Sequence, residues 1–195
     1  MNRLSVAYHF AAIKHRSQRR KDNEATPYIN HPIEVAKLLA ENGVDDPDTL
    51  IGAVLHDTIE DTYTTPEEIR NLFGENVLRI VKECSDDKSL PKEERKQLQI
   101  EHARQISVQA KLVKLADKYS NLKDLLSNPP KKWSKDEIYG YAYWSFAVVK
   151  ALSGTNSGLE NKLSELFKGF GITNPTDQEL EALLAKYYLV IQDSV

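Results

Sequence analysis

The sequence predicts an all-α fold of about ten helices in one domain, and three observations lead there. Apolar residues recur at the three-and-four spacing of a helix in nearly every segment. No alternating run of β-branched residues is bracketed by hairpin turn pairs. Helix boundaries are marked repeatedly by proline, capping boxes and glycine.

Taken in order, Leu4, Ala7, Ala11 and Ala12 form one face of a first helix that ends in a basic turn. Pro32 suits the first position of a second, whose apolar face is Val35, Leu38 and Leu39 and whose stop is Asn42-Gly43. Pro47-Asp48-Thr49 opens a third through Leu50, Val54 and Leu55, and His56 to Asp61 are expected on helix as well. Thr65-Pro66-Glu67-Glu68 is a capping box, with a stop near Gly74. Further helices are expected over 91–105, 107–126, 134–152, 157–169 and 176–192, the last opened by a second capping box from Thr176 to Glu179. Asn128-Pro129-Pro130 breaks the chain between two of them. In the last helix Leu180, Leu183, Leu184, Tyr187, Tyr188 and Val190 make an amphipathic face, read as packing rather than partner-binding. Trp133, Tyr139, Tyr141, Tyr143 and Trp144 read as core.

The composition sets the class. With 195 residues, 41% hydrophobic and 28% charged, the chain has an ordinary globular make-up and room for one sizeable core. No apolar run approaches the ~18–20 residues that span a bilayer. A single cysteine, Cys84, excludes an intramolecular disulfide framework and suits a reducing compartment, so a cytoplasmic location is the expectation. The first 21 residues carry Arg3, Lys14, Arg16, Arg19, Arg20 and Lys21 and no acid, the look of a mitochondrial transit peptide. The alternative preferred here is a core helix with a basic turn that is either solvated or an anion site. The net charge of −3 and the shortness of the basic turn argue against nucleic-acid binding.

One stretch resists reading as simple helix: Ala53-Val-Leu-His-Asp-Thr-Ile-Glu-Asp-Thr62 runs from apolar into a histidine and three carboxylates. Such a cluster is costly to desolvate unless a metal, a substrate or water pairs it. On a helix, Glu60 lies one turn beyond His56 and Asp61 one turn beyond Asp57. His31 and Asp117 are available from elsewhere, which gives two imidazoles and two carboxylates. That set suits octahedral Mn²⁺, Fe²⁺ or Mg²⁺ better than a closed structural zinc site. The bland alternatives are an Asp117 ion pair with Lys114 or Lys118 and a capping role for His31, and spacing alone does not bring the four together.

The ordered set RRKDNEATPYINHP, HDTIEDT and KLADKYSNLKDL resembles the hydrolase domain of RelA/SpoT proteins, within the HD phosphohydrolase superfamily. The likeness is strongest to the stand-alone small alarmone hydrolases of animals, the metazoan SpoT homologues. It extends through SDDKSLPKEERKQLQ and ALSGTNSGLENKLSELF, over roughly residues 5–170, with 171–195 a helical tail to one domain spanning 1–195. The resemblance implies one Mn²⁺ held by His31, His56, Asp57 and Asp117, with Glu60 and Asp61 acting on the hydrolytic water. It implies removal of the 3′-pyrophosphate of guanosine 3′,5′-bis(diphosphate), to GDP or GTP and pyrophosphate. It sets Arg20, Lys21 and Asn121 against the purine nucleotide, with Lys88 a further phosphate candidate. Arg20 can stack on a purine while Lys21 meets phosphate.

Three departures bear on substrate preference. Ala25 stands where relatives usually have Gly, Ser120 replaces a bulkier residue, and Lys123 replaces Arg. The same site could serve as an NADPH 2′-phosphatase, the runner-up reading. A generic nucleotidase and a non-catalytic nucleotide sensor or adaptor rank below it, and the oligomeric state is left open. The chain ends about 25 residues past the resemblance, so no synthetase activity is expected.

Overall fold

The computed structural model describes residues 2–192, and its regular elements there are all helices. Its elements are α1 (Arg3–Lys14), α2 (Asn30–Glu41), α3 (Pro47–Leu55), α4 (Thr58–Asp61), α5 (Pro66–Phe73), α6 (Glu75–Cys84), α7 (Lys92–His102), α8 (Val108–Ser127), α9 (Lys135–Ala151), α10 (Ser157–Gly169) and α11 (Asp177–Gln192). Among the described residues the only β-type pairing is one isolated bridge between Arg19 and Pro27. No helix there is long and apolar enough to cross a membrane.

Helix α3 is the axis of the molecule. Ile51 through Leu55 are all buried, because α1, α2, α6 and α8 pack around them. Burial of each large aliphatic side chain contributes roughly 1.5–3 kcal/mol, so the helix that carries His56 at its end is also among the best anchored. Gly52 makes the α3–α6 approach possible: a Cβ there would sit 2.6 Å from Ile80 Cγ2. The 20-residue α8 lies between two layers, touching α2, α3 and α6 on one side and α9 and α10 on the other. Helices α7, α9 and α11 form the outer layer. There Gly140 admits Tyr187 so closely that a Cβ would lie 2.3 Å from its ring, and Leu180, Tyr187 and Ile191 are buried. The tail helix therefore packs on the domain, as its amphipathic face predicts.

Both predicted capping boxes form, at Thr65/Glu68 and at Thr176/Glu179. Three expectations need correction. Helix α2 starts two residues before Pro32, at Asn30, which puts His31 inside its first turn. His56 to Asp61 are not on one continuous helix: α3 stops at Leu55, His56 and Asp57 form a turn, and α4 resumes at Thr58. The Thr58 hydroxyl bonds the Leu55 carbonyl at 2.6 Å and so competes with the helical ladder at that point. Helix α6 lies in a stretch where no element was expected. Gly74, at φ 91°, starts it without a side-chain cap, so the usual start signal is absent.

The segment between α1 and α2 is a folded loop. Arg20 N–H donates to Thr26 O at 2.8 Å and Tyr28 N–H to Gln18 O at 3.1 Å, on either side of the Arg19–Pro27 bridge. Ala25 takes a positive φ of 50° to close it. This is the conformation in which a Cβ is unfavourable, so Ala25→Gly is expected to stabilise the chain by about 1 kcal/mol. Reversible denaturant unfolding checks this, and an unchanged midpoint would show the loop to be unstrained.

Candidate metal centre and nucleotide cavity

Four side chains from two helices and one turn converge beside the end of α3. His31 comes from the first turn of α2, His56 and Asp57 from the turn after α3, and Asp117 from the middle of α8. His31, His56 and Asp117 offer ligand atoms that all lie within 4.8 Å of one another. Asp117 Oδ1 is 3.1 Å from His31 Nε2 and 3.7 Å from His56 Nε2. Asp57 Oδ2 is 3.0 Å from His56 Nε2 and 3.7 Å from His31 Nε2.

The ligand candidates also have partners outside the cluster. His56 Nδ1–H donates to the Ala53 carbonyl at 2.7 Å, so Nε2 is the nitrogen turned to the cluster. That Nε2 is wholly buried and has no hydrogen-bond partner, although two carboxylates stand close to it. Tyr28 OH donates to Asp57 Oδ2 at 2.5 Å. Lys118 Nζ donates to Asp117 Oδ2 at 2.9 Å and Asn121 Nδ2 to Asp117 Oδ1 at 2.6 Å. Lys118 is thus the ion-pair partner of Asp117, whereas Lys114 turns to the Cys84 carbonyl. The pair leaves Oδ1 facing both imidazoles. Burial opposes charge here, yet His56 is pushed well above and Asp57 and Asp117 are held well below their ordinary ranges by one another and by Lys118. An orphaned imidazole nitrogen between two ionised carboxylates is the donor set a hard divalent cation fits.

The other two acids of the stretch face the same cavity of about 500 Å³, which His56, Asp57, Asp117, Lys88 and Lys96 also line. Glu60 accepts from the Asp86 backbone N–H at 2.9 Å. Burial, helped by the charges of Asp86, Asp57 and Asp61, raises its carboxyl to about 7. Asp61 accepts from Lys88 and, at 3.2 Å, from Gln18, whose own amide oxygen lies 2.6 Å from His15 Nδ1. Lys88 is therefore tied to an acid at the cavity wall.

A second cavity of about 450 Å³ adjoins, lined by Arg20, Lys21, Tyr28, Lys96, Asn121, Trp133 and Tyr141. Arg20 is not a free surface cation. It bonds Asn121 Oδ1 at 3.2 Å and Asp124 Oδ2 at 2.5 Å, with its guanidinium 5.9 Å from the Tyr28 ring centroid. Arg20 and Asn121, 101 residues apart, are thus direct partners. Trp133, Tyr141 and Tyr143 pack against the core as expected, but Trp133 and Tyr141 also line this cavity, while Trp144 is buried and donates its indole N–H to Lys96 O at 2.8 Å. Tyr139 is 49% exposed and is not core.

Tyr28, Gln18 and Lys96 were not singled out from the sequence, and Lys118 was named only as an alternative ion-pair partner of Asp117. Tyr28 and Lys118 had a signal, lying beside His31 and Asp117 in the two quoted motifs. Lys96 lies within SDDKSLPKEERKQLQ, and Gln18 had no signal.

Comparison with known proteins adds two kinds of similarity. The family model described as HD domain matches residues 7–141. A curated relative from Xenopus tropicalis, guanosine-3′,5′-bis(diphosphate) 3′-pyrophosphohydrolase MESH1, is 56% identical over 167 residues, covering 85% of this chain and 93% of its own. The relative of the same name from Homo sapiens is 54% identical over 171 residues, covering 87% and 96%. A solved structure described as "A metazoan ortholog of SpoT hydrolyzes ppGpp and plays a role in starvation responses" superposes with a TM-score of 0.87 at 46% identity, covering 89% of this chain and 98% of that one.

Proposed function

The chain belongs to the HD-domain family, and from that premise we propose that it is a metal-dependent guanosine-3′,5′-bis(diphosphate) 3′-pyrophosphohydrolase. The observation that supports this most is a cluster of two imidazoles and two carboxylates at one cavity, next to an aromatic and basic one, in a chain 56% identical to a relative named for that reaction. His31, His56, Asp57 and Asp117 would hold the cation, with Mn²⁺ the proposed ion. When bound, it supplies Lewis-acid activation of water and charge neutralisation at phosphorus.

The chain's own groups do the rest. The reaction adds water across the bond between the ribose 3′ oxygen and phosphorus, so one proton leaves the water and one must reach the 3′ oxygen. Glu60, raised to about 7, is half protonated at neutral pH and is the group able to hand a proton to that oxygen. Asp61, bonded by Lys88 and Gln18, accepts from the attacking water. The Tyr28, Trp133 and Tyr141 rings offer stacking surface to a purine. Lys21, which lines both cavities, offers positive charge to phosphate between the two; Lys96 lines both as well, but burial and the neighbouring Lys118 lower its ammonium to about 7, so it adds less charge at neutral pH.

The Mn²⁺-loaded protein is expected to convert ppGpp to GDP and pyrophosphate, read by anion-exchange chromatography with NADPH and a nucleoside monophosphate run in parallel. Dephosphorylation of the monophosphate with ppGpp left intact would replace this reading with a generic nucleotidase, and orthophosphate from NADPH alone would replace it with the 2′-phosphatase.

A further inference from the structure

The two imidazoles of the cluster are aimed by different means. His56 is held by a backbone carbonyl, whereas His31 is held by a chain of side chains running from the cluster towards the surface. His31 Nδ1 lies 3.0 Å from Ser120 Oγ, and both residues are buried. Ser120 Oγ lies 2.8 Å from Glu34 Oε2. The other oxygen of Glu34 receives Lys123 Nζ at 2.7 Å.

Proton counting gives this chain a direction. A hydroxyl has one proton to donate, and an ionised carboxylate can only accept. Burial pushes Glu34 upward, but the bonds from Lys123 and Ser120 outweigh it and hold the carboxyl below its ordinary value. The Ser120 proton therefore goes to Glu34, and the Ser120 oxygen accepts from His31. That fixes a proton on Nδ1, so Nε2, which lies 3.1 Å from Asp117 Oδ1, is the nitrogen at which a cation would take the place of a proton shared with that carboxylate. Without Glu34, the hydroxyl is free to turn its proton onto Nδ1, which favours the opposite tautomer and removes the lone pair from the cluster.

We infer that Ser120 and Glu34 are positioning residues, which hold His31 in the one tautomer able to ligate a divalent cation and so set the affinity of the site. The inference rests on the cation-site reading above. It also gives two of the departures a shared role: Ser120 carries the relay and Lys123 secures its carboxylate end. A ligating histidine whose second nitrogen is anchored in this way is a general device, and loss of the anchor costs metal affinity.

The test is calorimetric titration of Mn²⁺ into the full chain as native protein, Ser120→Ala, Glu34→Ala, Glu34→Gln and the Ser120→Ala/Glu34→Ala double variant, each with its thermal melt. Ser120→Ala and Glu34→Ala are expected to weaken Mn²⁺ binding by about 10–100-fold. The double variant should be no weaker than the weaker single one, because the two act in series. Glu34→Gln keeps an acceptor oxygen and should bind close to the native protein, a rescue that a purely structural role for Glu34 would not produce. The Glu34 side chain is 33% exposed, so its variants decide the matter if Ser120→Ala unfolds. Native-like affinity in Glu34→Ala, or equal loss in Glu34→Gln and Glu34→Ala, would overturn the relay. Failure of the native protein itself to bind Mn²⁺ would overturn the cation-site reading and the relay with it.

Discussion

Asp117→Asn is expected to remove Mn²⁺ binding and ppGpp turnover together, taking activity to background. Asp117 is the joint of the cluster. Its Oδ1 stands 3.1 and 3.7 Å from the two imidazole nitrogens, and it is the carboxylate contributed by α8 to a site otherwise built from α2 and the turn after α3. Asn keeps the shape and an oxygen for Lys118 but loses the charge. Alanine is the harsher change, since it strands the Lys118 ammonium, whose side chain is 5% exposed, at a cost of roughly 3–5 kcal/mol. Metal content and turnover of Asp117→Asn, read beside its melting temperature, separate loss of the site from loss of the fold. A folded variant that retains Mn²⁺ and native turnover would remove Asp117 from the centre. Asp57→Asn is expected to follow the same pattern, with Tyr28 left facing a neutral partner.

Glu60→Gln should do the opposite to the metal and the same to the rate. Its carboxylate lies off the cluster, bonded to the Asp86 N–H, so Mn²⁺ affinity is expected to hold while kcat falls by about 10²–10⁴-fold, the usual worth of a positioned acid or base. The same change alters the pH dependence of stability. The Glu60 pKa is raised from 4.5 to about 7 on folding, so the protonated carboxyl favours the folded state. That contribution is fully present below 4.5 and is lost as pH rises through about 7. Glutamine cannot ionise, so in chelator-treated protein the variant should gain on the native chain between those pH values, by on the order of 1–3 kcal/mol, and keep the gain above them. Denaturant midpoints at pH 5 and pH 8 read this directly. Parallel pH profiles for the two proteins would show Glu60 to be an ordinary solvated carboxylate, and an unchanged kcat would remove it from proton transfer.

How much of this was legible in the sequence differs by kind of feature. Helices with local boundary chemistry were readable, because a capping box such as Thr65/Glu68 or a break such as Asn128-Pro129-Pro130 acts within a few residues. Helix α6 was not, since Gly74 starts it through backbone geometry and provides no side-chain cap. The turn at His56-Asp57 was read as helix because its residues have ordinary helical propensity; a hydroxyl bond from Thr58 to Leu55 O marks the interruption. The four ligand candidates were nameable from their motifs. Their supports were not, because Tyr28 to Asp57, Ser120 to His31 and Arg20 to Asn121 bridge 29, 89 and 101 residues, and nothing local announces such a contact. The same limit explains Tyr141 and Trp133. Tyr141 on α9 and Trp133 just before that helix both pack against the core, and only the placement of the neighbouring layer shows that a cavity is left beside them.

The central claim is that one divalent cation sits among His31, His56, Asp57 and Asp117. Anomalous diffraction from crystals of the Mn²⁺-loaded protein, collected on both sides of the manganese edge, tests it most directly. A single manganese peak within ligand distance of both imidazole Nε2 atoms and of one oxygen from each carboxylate is the expected result. A peak elsewhere, or none in fully loaded crystals, would contradict the account.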